Sequence, residues 1–286
     1  MNVRTGNWGA AARTAKQHGN LTVLGFADMG ASGRAAARKS VAAEGLCADK
    51  GEIKFGRLSF QSRVDMLDGQ VAGAEVLIEW TRPEGPAAGA RSRAMSASEW
   101  AVREVCKQGA VLERDNRTAL RTHVRLTARQ LMNPRLLEYF SEAIAESGIR
   151  PESIECGVAE SLLLGSPQLT VAKMRQLTDA GIGVAICDFG SDRSGLAYPS
   201  AFPVHSIWLG PTFFARFARG HAASEALRAV LRLAAKRGLK VAACGVSGPE
   251  QMMWLYNEGC ELMQGDFLCR PLPLETFKTF LAELKG

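Results

Sequence analysis

Residues 168–190 read QLTVAKMRQLTDAGIGVAICDFG, and this stretch decides how the rest of the chain is parsed. Gln168–Ala180 has the apolar spacing of an amphipathic helix, and Gly181 supplies its stop signal. Gly183–Cys187 is an unbroken apolar run of strand length that ends against the acidic Asp188. A helix, a glycine and a buried strand in that order form half of a β/α unit. Strand-like runs recur at Leu58–Asp65, Ala74–Trp80, Leu120–Leu126, Ser153–Val158, Val204–Leu209, Leu239–Ala243 and Leu262–Gln264. Helical patterns lie between them, among them Pro134–Ser147, Ser224–Arg237, Pro249–Glu258 and Leu274–Leu284. Eight strands in roughly 230 residues fit an α/β fold of the TIM-like (β/α)₈ barrel type. On pattern alone a doubly wound sheet is the rival. In a barrel, the strand ends at Glu75–Leu77, Arg125, Gly157, Cys187–Asp188, Trp208, Cys244 and Gln264 should face one mouth.

Composition narrows the class. Of the 286 residues 47% are hydrophobic and 22% charged, values of an ordinary globular chain with a core. No apolar run approaches the ~18 residues that span a bilayer. Leu21–Phe26 is shorter than the ~7-residue core of a secretory signal. The sequence thus predicts a cytoplasmic chain without a membrane partner. Seven scattered cysteines without a C-x-x-C pair point to reduced thiols rather than a disulfide framework. Of the net charge of +6, residues 1–50 carry +4 (seven Lys/Arg against three Asp/Glu). The expectation is therefore a basic arm over residues 1–50 and a barrel domain over 51–286. The arm has no aromatic interleaving, so a solvated tail is favoured over a nucleic-acid contact.

Several segments, in order, resemble EAL domains, the bacterial cyclic-di-GMP phosphodiesterase family. Gly73-Ala74-Glu75-Val76-Leu77 stands where the family has Glu-Ala-Leu, and Leu126-Thr127-Ala128-Arg129-Gln130-Leu131 resembles the segment after its Asn. Asp188-Phe189-Gly190-Ser191, Gly245-Val246, Gln264-Gly265 and Arg270-Pro271-Leu272-Pro273 resemble further motifs, so the likeness spans about residues 55–285. It implies two divalent cations held by carboxylates and an Asn, with a Lys near the attacking water.

At the positions the resemblance assigns to that chemistry, Glu75 and Asp188 are kept. The Asn is Arg125, a Glu is Gly157, the first Asp is Cys187, the Lys is Trp208 and the last Glu is Cys244. A guanidinium does not ligate a cation and is always charged, so Arg125 is expected to pair with Glu75 and Asp188 in its place. The expectation is a degenerate, non-catalytic member: no metal, no cofactor and not an enzyme. Its output would be contact with an unidentified regulatory protein, in motility or biofilm signalling. Gln61, Leu77, Gln264 and Pro271 remain as cyclic-di-GMP contacts, which leaves a nucleotide sensor as the alternative. Glu160 matches the family's loop anchor. A short Trp80–Glu99 interval predicts a truncated first barrel helix, and with the altered loop at Asp192-Arg193-Ser194-Gly195 it puts family-type dimerisation in doubt.

Plainer readings stand beside these. Glu75 and Asp188 are also readable as buried acids held by Arg125. The mouth cysteines are readable as zinc ligands or, with more weight, as small hydrophobes filling vacated space. Trp208, Phe213, Phe214 and Phe217 are readable as a partner surface or, with more weight, as a packed helix face.

Overall fold

The computed structural model describes residues 55–81, 96–115, 120–190, 202–216 and 221–284. The expected basic arm (1–50), the interval expected to hold a shortened first helix (82–95) and the altered loop (191–201) lie outside them. Eight strands close into a barrel in chain order. They are β1 Phe55–Asp65, β2 Val71–Thr81, β3 Arg121–Leu126, β4 Ile154–Ala159, β5 Gly183–Cys187, β6 Ser206–Leu209, β7 Lys240–Ala243 and β8 Leu262–Gln264. Around them run helices α1 Ala97–Asp115, α2 Ala128–Leu131, α3 Leu136–Ser147, α4 Glu160–Gly165, α5 Pro167–Asp179, α6 Pro211–Arg216, α7 His221–Ala235, α8 Pro249–Asn257 and α9 Leu274–Glu283.

Every strand was expected, with boundaries moved by up to three residues. What the pattern did not carry is direction. β2 to β8 run parallel to their neighbours, whereas β1 is antiparallel to both β2 and β8. The cause is the connection. Only Met66–Gln70 separates β1 from β2, far too short for a parallel crossover. The turn is set by Asp65, whose carboxylate accepts from the Leu67 N–H at 2.9 Å and whose carbonyl accepts from Gly69 at 2.8 Å. Gly69 takes the left-handed φ of 76° that this turn requires.

Helix α1 was absent from the expected set. It buries Ala101, Val102, Val105, Cys106, Ala110 and Leu112 along one stripe. Gly109 sits in mid-helix. A Cβ there would lie 2.8 Å from Ile149 and 3.0 Å from Thr122, so the glycine is the contact surface itself. Elsewhere the local signals act as read. The Asn133 side chain accepts from the Arg135 N–H at 2.9 Å ahead of α3, and Gly148 ends α3 in the left-handed conformation. Phe60 of β1 stacks on Phe277 of α9 with ring centroids 5.7 Å apart, and both are fully buried. No described helix is long and apolar enough to cross a membrane.

Candidate functional site

Side chains alternate in and out along each strand, so the inward residues of a barrel stack in layers. Two layers matter here. The upper one, at the C-terminal ends of β2 to β8, contains Glu75, Arg125, Gly157, Cys187, Trp208, Cys244 and Gln264, with Gln61 entering from β1. The lower one contains His123, Glu155, Ala185, Ser206, Ala242 and Leu262, each two residues back along its strand, and Arg63, two residues onward on the antiparallel β1.

In the upper layer Arg125 is the hub. Its Nε donates to Glu75 Oε1 at 2.8 Å and its Nη1 donates to Asp188 Oδ2 at 2.8 Å. The Arg125 and Asp188 side chains are about one-third exposed (30% and 37%), while Glu75 is 9% exposed. Burial works against the Arg125 charge, but the carboxylates of Glu75 and Asp188 hold its pKa above the ordinary value. The other Glu75 oxygen, Oε2, accepts from Gln264 Nε2 at 2.5 Å. Gln264 Nε2 also donates to Gln61 Oε1 at 2.9 Å, and Gln61 Nε2 donates to Asp266 Oδ1 and the Cys269 carbonyl, both at 3.0 Å. The result is one hydrogen-bonded chain from Asp266 through Gln61, Gln264, Glu75 and Arg125 to Asp188. The Gln61 amide, expected to meet a guanine base, spends both ends inside this chain. Leu77 is half-buried on β2 and Pro271 is exposed; neither joins it. Glu160, at the start of α4, is buried and accepts from the Gly190 N–H at 2.9 Å, which ties down the loop leaving Asp188.

In the lower layer four polar side chains, Arg63, His123, Glu155 and Ser206, are joined by hydrogen bonds around Glu155. Glu155 Oε2 accepts from Arg63 Nη1 and from His123 Nδ1, each at 3.1 Å, and Glu155 Oε1 accepts from Ser206 Oγ at 2.8 Å. With Nδ1 donating, Nε2 of neutral His123 faces Cys187 Sγ at 3.6 Å as the acceptor. Trp208 does not reach the mouth. It folds inward over Ala185 and Ala242, donates from Nε1 to Ser206 Oγ at 3.1 Å and stacks on His123 with centroids 3.7 Å apart. The Arg63 guanidinium lies 4.6 Å from the centre of the Trp208 ring, so an Arg–Trp–His stack spans the barrel. Burial lowers the His123 pKa, with the Glu155 hydrogen bond partly opposing. Burial alone would raise Glu155, but the His123 hydrogen bond and the Arg63 charge hold it well below the usual carboxylate range.

This layer accounts for Gly157. A Cβ built there would lie 2.5 Å from His123 Nε2 and 2.6 Å from Cys187 Sγ, closer than real contacts allow. The volume of the expected carboxylate is taken by those two side chains. Reading only the strand ends missed His123, Glu155 and Ser206. The signal that finds them is the strand period: counting two residues back from each strand-end residue leads to each of them.

Two divalent cations of the kind the resemblance implies do not fit these residues. Of the two retained carboxylates, both Glu75 oxygens and one Asp188 oxygen already accept hydrogen bonds from Arg125 or Gln264. Burial pushes the Cys187 and Cys244 thiols up, and soft sulfur is a poor ligand for a hard divalent cation in any case. The zinc alternative finds no group of three or more His, Cys, Asp or Glu among the described residues that could hold an ion. Phe213 is buried and packs edge-on against Phe214 (5.3 Å), which packs likewise against Trp254 (6.0 Å), so these aromatics form a packed face. Phe217 lies outside the described residues.

Comparison with known proteins fixes the class to which this barrel belongs. The EAL-domain family profile matches residues 51–271. The chain belongs to the EAL family, a family of cyclic-di-GMP signalling domains. It is 29% identical over 233 residues to the cyclic di-GMP phosphodiesterase NbdA of Pseudomonas aeruginosa, a match covering 78% of this chain and 30% of that protein. It is 26% identical over 235 residues to the signaling protein YkoW of Bacillus subtilis, covering 79% and 29%. The chain thus spans about 30% of the length of these curated relatives. Among solved structures, the PaMucR phosphodiesterase in a cyclic-di-GMP complex superposes with a TM-score of 0.68 at 25% identity, over 78% of this chain and 94% of that one. The EAL domain of Mycobacterium smegmatis DcpA shares the fold, with a TM-score of 0.66 at 24% identity over 79% and 96%.

Membership corrects one expectation. The lost ligand types had led to the reading that the chain is not an enzyme. Relatives named as cyclic-di-GMP phosphodiesterases share this fold and sequence along most of the chain, so that exclusion does not stand. The disagreement that remains is narrower and concerns the cation pair.

Proposed function

We propose that this EAL domain serves cyclic-di-GMP signalling as a regulatory module that acts through contact with a partner protein, in the control of motility or biofilm formation. The observation that carries the proposal is the Arg125 guanidinium, held 2.8 Å from both Glu75 and Asp188. It joins the two retained carboxylates of the mouth into one ion cluster, which supports a regulatory role through recognition. The test is affinity capture on the full chain from its native host, followed by mass spectrometry with the untagged protein as competitor. A competed, stoichiometric partner supports the proposal; absence of any specific partner refutes it.

A second reading, a cyclic-di-GMP receptor, is favoured by the one-third exposure of Arg125, which presents a fixed positive charge at the mouth. Against it stands the balance of one guanidinium to two carboxylates, with exposed Glu79 and Asp266 nearby in sequence. Calorimetric titration of cyclic di-GMP in EDTA and again in Mn²⁺, with products checked by chromatography, separates the readings. Heat saturating below a Kd of about 100 μM supports the receptor. No heat removes it, and a linear dinucleotide product would put the domain beside its phosphodiesterase relatives.

A further inference from the structure

The mismatch between this mouth and a cation pair has a structural side that does not depend on a partner protein. Asp188 has a backbone φ of 55°, the only positive φ at a non-glycine position among the described residues. An L side chain in that region is strained and persists only where its surroundings over-determine it. Three hydrogen bonds and one missing side chain do so. Arg125 Nη1 grips the carboxylate at 2.8 Å. The following residue, Phe189, donates its N–H to the Trp208 carbonyl at 3.1 Å, and Gly190 donates to Glu160 at 2.9 Å. Gly210 lies opposite, where a Cβ would approach Asp188 Oδ1 to 2.7 Å, so a side chain there would displace the carboxylate.

Arg125 comes from β3 and reaches Glu75 on neighbouring β2 and Asp188 beyond the end of β5. A single planar guanidinium therefore joins two carboxylates from strands that do not touch. We propose that Arg125 is a built-in cation: a positioning residue that offsets the charge of Glu75, fixes Asp188 in its left-handed conformation, and makes the mouth and its loop independent of divalent metal. The premise of a metal-dependent mouth is thereby replaced by a covalently attached charge that no chelator removes.

The test uses the full chain and needs no turnover. Mn²⁺ binding is read from loss of the free-ion electron paramagnetic resonance signal, and loop order from hydrogen exchange at the Phe189 and Gly190 amides. For the wild type, neither EDTA nor about 10 mM Mn²⁺ should change melting or exchange, because both Glu75 oxygens and one Asp188 oxygen are engaged and the fixed guanidinium charge opposes a cation. Arg125→Asn should speed exchange at both amides by at least about tenfold without metal, because an opening equilibrium costs less once the grip is lost. Mn²⁺ should then bind that variant and slow exchange again. Saturation a hundredfold above Kd should raise its melting temperature by about 5–10 °C. Arg125→Lys, which keeps the charge, should stay indifferent to Mn²⁺. A purely structural arginine would lose stability on substitution without acquiring a metal response. Stoichiometric Mn²⁺ uptake by the wild type overturns the proposal. So does a folded Arg125→Asn protein that ignores Mn²⁺. Should Arg125→Asn fail to fold, Arg125→Gln takes its place in the same test, and Mn²⁺ uptake by the wild type or by Arg125→Lys still overturns the proposal.

Discussion

Replacing Glu155 by Gln removes one charge and almost no volume from the centre of the barrel. Its two oxygens accept from Arg63, His123 and Ser206 at 3.1, 3.1 and 2.8 Å. Gln offers one oxygen where Glu offers two, and an N–H₂ group that points at donors. The Arg63 and Glu155 side chains are only 5% and 1% exposed, so water cannot stand in for the lost partner. Arg63 Nε is already a buried donor without an acceptor among the described residues, which leaves the guanidinium no reserve. Breaking a buried pair by removing one partner's charge costs about 3–5 kcal/mol, because the other charge stays buried. That is a large share of the roughly 5–15 kcal/mol by which domains are stable. With a urea m-value near 2.5 kcal/mol/M, the midpoint should fall by about 1.5 M. The assay is urea unfolding followed by tryptophan fluorescence, since Trp208 lies in the same stack. Glu138→Gln is the control: its bidentate pair with Arg135 is half-exposed and should contribute nothing measurable. A Glu155→Gln midpoint within about 0.4 M of the wild type would refute the claim that this carboxylate balances the buried layer.

Further outcomes follow from the same geometry. Gly157→Ala should cost about 1–3 kcal/mol by overpacking against His123 and Cys187, and Cys187→Ala should recover part of the loss in a double-mutant cycle; additivity of the two would show that the positions are not in contact. Acidification should destabilise the domain in two stages. His123 has a lowered folded pKa, so the unfolded chain binds the proton first and stability falls as the pH drops below about 6.5. Glu155 is also lowered, so its contribution is complete above about pH 4.3 and lost below it. A urea midpoint unchanged between pH 7 and 5 would contradict the first stage. Glu160→Ala should accelerate exchange of the Gly190 amide while leaving β1 protected; unaltered exchange would mean that Glu160 does not hold the loop.

The fold was legible where apolar runs and glycine stops agree, as at Gly183–Cys187, whose expected and observed boundaries coincide. The reversed β1 was not, because alternation marks which face a residue occupies and says nothing of strand direction. No helix was assigned at α1, although its buried residues Ala101, Val102, Val105, Cys106 and Ala110 recur at helical spacing. At the site, pairing of Arg125 with Glu75 and Asp188 could be anticipated from charge alone, since three ionised groups were bound for one rim. The engagement of Gln61 could not, because its partners Asp266 and Cys269 follow β8 about 200 residues later. The inward tilt of Trp208 was equally hidden: it depends on the small Ala185 and Ala242 beneath it, on two other strands. Family likeness indicated which residue types had changed, but not that their replacements interlock.

The most direct measurement is a crystal structure of the full chain grown with saturating Mn²⁺ and cyclic di-GMP, with anomalous data collected at the manganese edge. Arg125 should lie lodged between Glu75 and Asp188, with Asp188 still left-handed and no anomalous peak at the mouth. Manganese bound by Glu75 and Asp188, with Arg125 swung aside, would contradict this.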